Sequence, residues 1–115
     1  MKVLAYVFAI FFIIISCAKE DINSPTNTIT TFGHGFEPET LYCNLGDIVY
    51  FDLGGGHNAI EVSEDNYNTN NATPLSGGFQ IDFGGSGFFI PLESKTYCYV
   101  CTPHLPEMKA KIIVD

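Results

Sequence analysis

Short apolar runs alternate with polar and turn-forming residues along most of the chain. Runs of this length, separated by Gly, Pro, Asn and Asp, are typical of β-strands rather than helices. At the end of the chain, the apolar residues at even positions from Met108 to Val114 alternate with Lys109, Lys111 and Ile113, which predicts one buried and one mostly solvated face. Strands are predicted near residues 29–33, 39–45, 47–53, 57–63, 78–83, 87–91, 95–101 and 108–114. This spacing predicts an all-β fold, a β-sandwich of about eight strands, with no helix after the N-terminal segment.

The N-terminal segment has a different pattern. Lys2 precedes an unbroken apolar run from Val3 to Ile15. That run suits the core of a signal peptide and is shorter than the ~20 residues that span a membrane. Ser16 and Cys17 follow it, and this arrangement resembles the lipobox of bacterial lipoproteins, in which the cysteine becomes the lipidated first residue. The alternative is a plain secretory signal with an incidental cysteine.

These features divide the chain into three parts. We predict a lipoprotein signal peptide over 1–16, a lipidated Cys17 with a polar, flexible tether up to residue 31, and one small domain over 32–115. The expected location is the cell envelope, with the protein anchored to a membrane by lipid and facing the periplasm or the outer surface. A domain of this size has a modest core and often gains stability from a metal or a disulfide.

The net charge narrows the range of partners. Without Lys2, the chain keeps four lysines and all 13 acidic residues, a formal net charge of −9. Nucleic-acid binding proteins need basic patches, so no nucleic-acid partner is expected. An acidic surface instead favours solubility and a basic protein partner.

Four side chains with soft or borderline ligand atoms lie in two parts of the sequence. Cys101 and His104 are separated by two residues, and Met108 follows His104 by four positions. His57 lies upstream in GGGHN, at the start of an apolar strand. Two imidazoles and a thiolate with a weakly bound axial thioether are the ligands of a type 1 copper site, so one copper ion is the predicted cofactor.

Other metals fit this set less well. Structural zinc usually takes four Cys or His ligands, and catalytic zinc keeps an open position for water. Calcium and magnesium bind oxygen ligands, whereas Glu107 is the one carboxylate close to the cluster in sequence.

The order of these motifs resembles a known family. The segments FEPETLYCNLGDIVYF, HN and YCYVCTPHLPEMKAKIIV, between Phe36 and Val114, are similar to the plastocyanin and azurin group of cupredoxins. The resemblance implies a Greek-key β-sandwich with one type 1 copper ion. It also implies that His57, Cys101 and His104 are the equatorial ligands and that Met108 is the axial one.

The resemblance extends to residues next to the ligands. It implies that Asn58 ties the two ligand loops together, that a backbone N–H reaches the thiolate, and that the Gly56 carbonyl lies near the metal, as in azurins. Thr102, directly after Cys101, is expected among the residues that orient the ligands. The alternative for Asn58 is an ordinary turn residue. His34, between two glycines, is expected in a loop without a metal role.

The remaining cysteines leave two possibilities open. If Cys17 carries lipid and Cys101 binds metal, Cys43 and Cys98 form the remaining pair, which could oxidise outside the cytoplasm. Cys98 is out of step with Tyr97, Tyr99 and Cys101, so it should point to the other face of its strand. The alternative is therefore two separate buried thiols.

The expected function is single-electron transfer. Four protein ligands leave no position for a substrate, so no enzymatic activity and no small-molecule substrate are expected, and the partners would be redox proteins such as cytochromes or oxidases. Two alternatives are a copper-binding or delivery protein and a small copper enzyme in which Met108 does not bind.

Overall fold

A computed structural model describes residues 27–115, which form nine β-strands and two short helical segments. The strands are β1 Thr28–Phe32, β2 Gly35–Glu37, β3 Thr40–Cys43, β4 Val49–Asp52, β5 Ala59–Val62, β6 Gln80–Ile81, β7 Ser86–Phe89, β8 Thr96–Val100 and β9 Lys109–Val114. The α-helix α1 is Glu64–Asn68, and Thr102–His104 is a turn of 3₁₀ helix.

The strands form the two layers of a β-sandwich. One sheet has four strands in the order β2-β1-β4-β7, and the other has five in the order β3-β9-β8-β5-β6. β1 runs parallel to β4 and β3 parallel to β9, whereas the other neighbours are antiparallel. Each sheet therefore contains a parallel pair of strands that do not follow each other in sequence, as a Greek-key sandwich requires.

The core follows the alternation of the sequence. In β9, Ala110, Ile112 and Val114 are buried while the residues between them are half-buried, which confirms the predicted two-faced strand. Tyr97, Tyr99 and Cys101 face the interior between the sheets. Cys98 points to the opposite face, in a smaller cluster that α1 partly covers through Tyr67.

Two elements were not predicted. The three residues of β2 pair with β1 through a two-residue hairpin, and they are too few to show an alternating pattern. The helix α1 contradicts the expectation of no helix after the N-terminal segment. It begins where the Ser63 hydroxyl accepts the N–H of Asn66 at 3.0 Å, and with five residues it is too short to show a helical period.

Strand β1 lies partly within the segment assigned to the tether. β1 starts at Thr28, inside the segment assigned to the tether, because its residues pair in parallel with β4 and the carbonyl of Asn27 accepts the N–H of Tyr50 at 2.8 Å. The predicted signal peptide, Cys17 and the rest of the tether lie outside the described residues. Within residues 27–115, no helix has both the length and the apolar character needed to cross a membrane.

The possible disulfide between Cys43 and Cys98 is not formed. Both are free thiols, with Cys43 in the main core and Cys98 in the smaller cluster on the other face of the sheet. Cys98 pairs with Lys111, which pairs with Thr40, so Cys43 lies two strands across and three residues along. The Cα atoms of Cys43 and Cys98 are therefore roughly 14 Å apart, about twice the largest Cα separation that a disulfide tolerates. The alternative of two separate buried thiols is correct.

Candidate metal centre

Three connections meet at one end of the sandwich. The β4–β5 connection carries His57, the β8–β9 connection carries Cys101 and His104, and the tip of the β1–β2 hairpin carries His34. The ligand loops are in register because β5 and β8 are antiparallel neighbours, with Ile60 opposite Val100. Residues 44 positions apart therefore come together directly beyond the paired ends of two strands.

Three of the predicted ligands converge there. The Cys101 Sγ atom lies 3.3 Å from Nδ1 of His104 and 3.8 Å from Nδ1 of His57. The three ligand atoms are all within 4.8 Å of one another. Among the described residues, this is the one group of three or more Cys, His and carboxylate side chains close enough to share a metal ion.

These separations fit a shared metal ion. A sulfur ligand at about 2.3 Å and a nitrogen at about 2.0 Å from a tetrahedral metal lie about 3.5 Å apart. The measured sulfur–nitrogen distances of 3.3 and 3.8 Å lie on either side of that value. The group contains one thiol and two imidazoles, with no carboxylate, which favours a borderline or soft metal over calcium or magnesium.

The Cys101 thiol is fully buried, with 0% exposure. Burial raises the pKa of the Cys101 thiol, whereas hydrogen bonds from the backbone N–H groups of Asn58 and His104 act in the opposite direction. Those two donors stabilise the thiolate form. The thiolate would therefore bind a metal in a site where little water can compete for the sulfur.

The Asn58 side chain joins the two ligand loops. Its Oδ1 accepts the backbone N–H of Thr102 at 2.9 Å, and its Nδ2 donates to the Thr102 hydroxyl at 3.3 Å. Asn58 is buried, so the contact is shielded from water. The Asn58 side chain therefore joins the two ligand loops, as the resemblance implies, and its contact with Thr102 is not the local one of an ordinary turn residue.

Met108 lies at the end of the β8–β9 connection, with its side chain directed into the core. Its side chain is fully buried in the same core cluster as Cys101. Its backbone carbonyl accepts the N–H of Cys101, and its N–H donates to the carbonyl of His104, each at 3.0 Å. These bonds hold Met108 beside both ligands, at the end of the loop where β9 begins.

The glycines before His57 form a tight turn. Gly56 has φ +84°, a conformation that favours glycine, and the N–H of His57 donates to the carbonyl of Gly54 at 3.2 Å. The carbonyl of His57 accepts the N–H of Gly84, so a second loop holds this ligand in place. The approach of the Gly56 carbonyl to a metal stays a prediction.

His34 is the residue at this end that the sequence did not assign to the site. Its ring stacks on that of His104, with centroids 4.0 Å apart and planes inclined by 20°. Burial, followed by the neighbouring His34 and His57 rings, lowers the pKa of His104, and Glu107 acts in the opposite direction. The Gly33-His34 pair is a hairpin-turn signal in the sequence, but the three residues of β2 are too few to have identified the second strand.

Comparisons with known proteins identify the fold. No protein-family model matches the sequence, and no curated protein matches it either. Solved structures of the copper protein amicyanin do match. The Cu(I) form of one mutant has a TM-score of 0.60 at 20% identity, the reduced form of a second has 0.58 at 23%, and the oxidised form of a third has 0.60 at 19%. Each match covers 83% of this chain and 87% of amicyanin. The chain therefore has the cupredoxin β-sandwich fold, as its sequence motifs predicted.

Proposed function

We propose that this protein is a type 1 copper protein that transfers single electrons. The observation that carries the proposal is the convergence of one buried thiol and two imidazole nitrogens, with S–N distances of 3.3 and 3.8 Å, at the end of a cupredoxin sandwich. Met108, fully buried in the same core cluster as Cys101, would supply the axial thioether of the expected ligand set. When bound, copper supplies one-electron oxidation and reduction between Cu(I) and Cu(II).

The chain's own residues hold the ligands in a fixed arrangement. The backbone bonds of Cys101, His104 and Met108 close the loop on itself, and Asn58 fastens it to the loop that carries His57. A site that does not rearrange when the oxidation state changes supports fast electron exchange. This rigidity favours an electron carrier over a protein that delivers copper, because delivery needs an exposed and exchangeable ligand set.

His104 is the ligand through which we expect electrons to pass. Its side chain is partly exposed, whereas Cys101 is buried. Pro103, Leu105 and Pro106 lie around it in sequence and give the loop an apolar rim. A small apolar contact suits the short-lived encounters of redox proteins, and the acidic surface would attract a basic partner such as a cytochrome or an oxidase.

We further propose that the protein is not an enzyme and that a lipid on Cys17 anchors it in the cell envelope. Four protein ligands would leave no position for a substrate, which supports the first statement. The lipobox-like sequence at Ser16 and Cys17 supports the second.

The test is the visible spectrum of the copper-loaded protein. Residues 22–115 with Cu(II) should show an intense absorption from the Cys101 thiolate and a reversible one-electron reduction. Cys101→Ser should lose the colour, while Cys98→Ser, at a buried thiol outside the site, should keep it. Met108→Leu conserves volume, so a changed reduction potential with little loss of stability would identify the thioether as a ligand. A colourless protein that binds zinc but takes up no copper contradicts the proposal.

A further inference from the structure

The ring of His34 lies against the half-exposed ligand of the candidate metal centre. Its centroid is 4.0 Å from that of His104 and 6.2 Å from that of His57. The His34 and His104 planes are nearly parallel, at 20°, whereas the His57 plane is inclined to His34 by 72°. His34 therefore covers a face of one ligand and makes an edge contact with the other.

The β1–β2 hairpin presents His34 from a fixed position. Phe32 pairs with Gly35, which leaves Gly33 and His34 as a two-residue loop. Gly33 has φ +63°, the conformation for which such loops favour glycine at the first position. The hydroxyl of Thr31 accepts the N–H of Gly54 at 2.8 Å and so fastens β1 to the loop that carries His57.

The β8–β9 connection contacts the His34 ring through Glu107 as well as through His104. The Oε1 atom of Glu107 lies 3.6 Å from Nδ1 of His34. Both side chains are more than half exposed, so the ion pair itself contributes little. Its position nevertheless places a carboxylate at the edge of the ring whose face contacts His104. The hairpin and the ligand loop thus meet at two points.

We propose that His34 is a positioning residue that holds the His104 imidazole in its ligating orientation and slows its release from the metal. The proposal rests on the copper site proposed above. A half-exposed imidazole can leave a metal by rotating its side chain toward water, and a ring stacked on its face restricts that rotation. Stacked aromatic pairs of this kind correspond to a factor of about two to ten in an equilibrium or a rate.

The first test uses the metal-free protein and measures the ring-proton NMR shifts of His104. A stacked ring displaces these signals upfield, so they should be upfield in the wild type and should move toward ordinary values in His34→Ala. His34→Phe keeps an aromatic face without a ring nitrogen and should retain the displaced shifts. Phe32→Ala removes an exposed ring from the same hairpin and should leave the His104 signals in place.

The second test measures the rate at which the copper-loaded variants lose metal to an excess of chelator. His34→Ala should release copper about two to ten times faster than the wild type, and His34→Phe and Phe32→Ala should match the wild type. Unchanged shifts and release rate in His34→Ala would overturn the proposal. So would fast release from His34→Phe, since that result requires the ring nitrogen rather than the stack. If the protein takes up no copper, the proposed function fails while the NMR comparison still decides whether the rings stack.

Discussion

Tyr99 has a hydroxyl that is buried without a hydrogen-bond partner among the described residues. The ring itself is well placed, in edge contact with Phe36 and Phe51 at centroid distances of 4.7 and 5.6 Å. Burial raises the pKa of this hydroxyl, so it stays protonated and uncharged. The residue therefore contributes as an aromatic ring, and its oxygen opposes folding because it loses its contact with water.

We expect Tyr99→Phe to raise the free energy of unfolding by about 1 kcal/mol, because the variant keeps the ring and removes the unpaired hydroxyl. Urea denaturation of the metal-free protein measures this. Tyr97→Phe is the matched control, since the Tyr97 hydroxyl accepts the N–H of Glu93 at 3.2 Å and donates to its carbonyl at 3.4 Å. The control should lose about 0.5–1.5 kcal/mol. Equal losses of stability in Tyr99→Phe and Tyr97→Phe would show that the Tyr99 hydroxyl also makes a stabilising hydrogen bond.

Glu61 is a second polar residue of the interior, with 4% exposure. Its Oε1 accepts the N–H of Phe79 at 3.1 Å and holds the segment that leads into β6. Burial raises the pKa of Glu61, while the Phe79 N–H and the charge of Lys95 oppose the shift and Glu93 adds to it. The folded protein therefore binds a proton at this site more tightly than the unfolded chain does.

The raised pKa of Glu61 predicts that the free energy of unfolding depends on pH. The contribution of Glu61 to stability is complete below its unfolded pKa, about 4.3, and is lost as the pH rises through the higher folded pKa. Glu61→Gln keeps an oxygen acceptor for Phe79 without the charge, so it should be more stable than the wild type at pH 7 and close to it at pH 4. Urea denaturation across this range gives the difference. If the stability difference between Glu61→Gln and the wild type did not change with pH, protonation of Glu61 would not be coupled to folding. Glu37→Gln, which removes an exposed carboxyl, is the control variant.

At the scale of the elements, the sequence predicted what local patterning can encode. Each of the eight predicted strands overlaps a strand of the structure, because short apolar runs bounded by turn-forming residues can be recognised from the sequence alone. Cys101 and His104 were recognised as candidate ligands because a cysteine, a histidine and a methionine in that order and spacing are typical of a copper site. The stack of His34 on His104 was missed because it joins residues 70 positions apart, and that neighbourhood exists only after β1 has paired with β2 and β4.

The contact between the ligand loops gives a prediction at this scale. Asn58→Ala leaves the backbone N–H of Thr102 without its acceptor, so the metal-free protein should lose about 1–3 kcal/mol in urea denaturation. Asn58→Asp keeps the Oδ1 acceptor and loses the donor to the Thr102 hydroxyl, and it should lose less. If Asn58→Ala were as stable as the wild type, the two loops would be held together by other contacts.

At the scale of the molecule, the candidate metal centre and the first residue of β1 lie at opposite ends of that strand. β1 runs from Thr28 to Phe32, a length of roughly 13 Å, and His34 in the turn beyond it lies against His104. A chain anchored before Thr28 would therefore present the His104 end away from its anchor. Between Cys17 and Thr28 lie ten residues, which reach up to roughly 35 Å when extended. If Cys17 carries a lipid, that length would leave the His104 end free to meet a redox partner.

The proposed anchor leads to the last prediction. The full-length protein, expressed in a bacterium that processes lipoproteins, should sediment with membranes and yield a mature N-terminus at Cys17 that carries acyl chains. Cys17→Ser should lose the acyl mass, because a hydroxyl cannot form the thioether to the lipid, whereas Cys43→Ser should keep it. Mass spectrometry of the N-terminal peptide is the deciding measurement, since an uncleaved apolar segment over Val3–Ile15 could also hold the variant in the membrane. An unmodified mature N-terminus in the wild type would instead identify a plain secretory signal, and the electron carrier would then be a freely diffusing one.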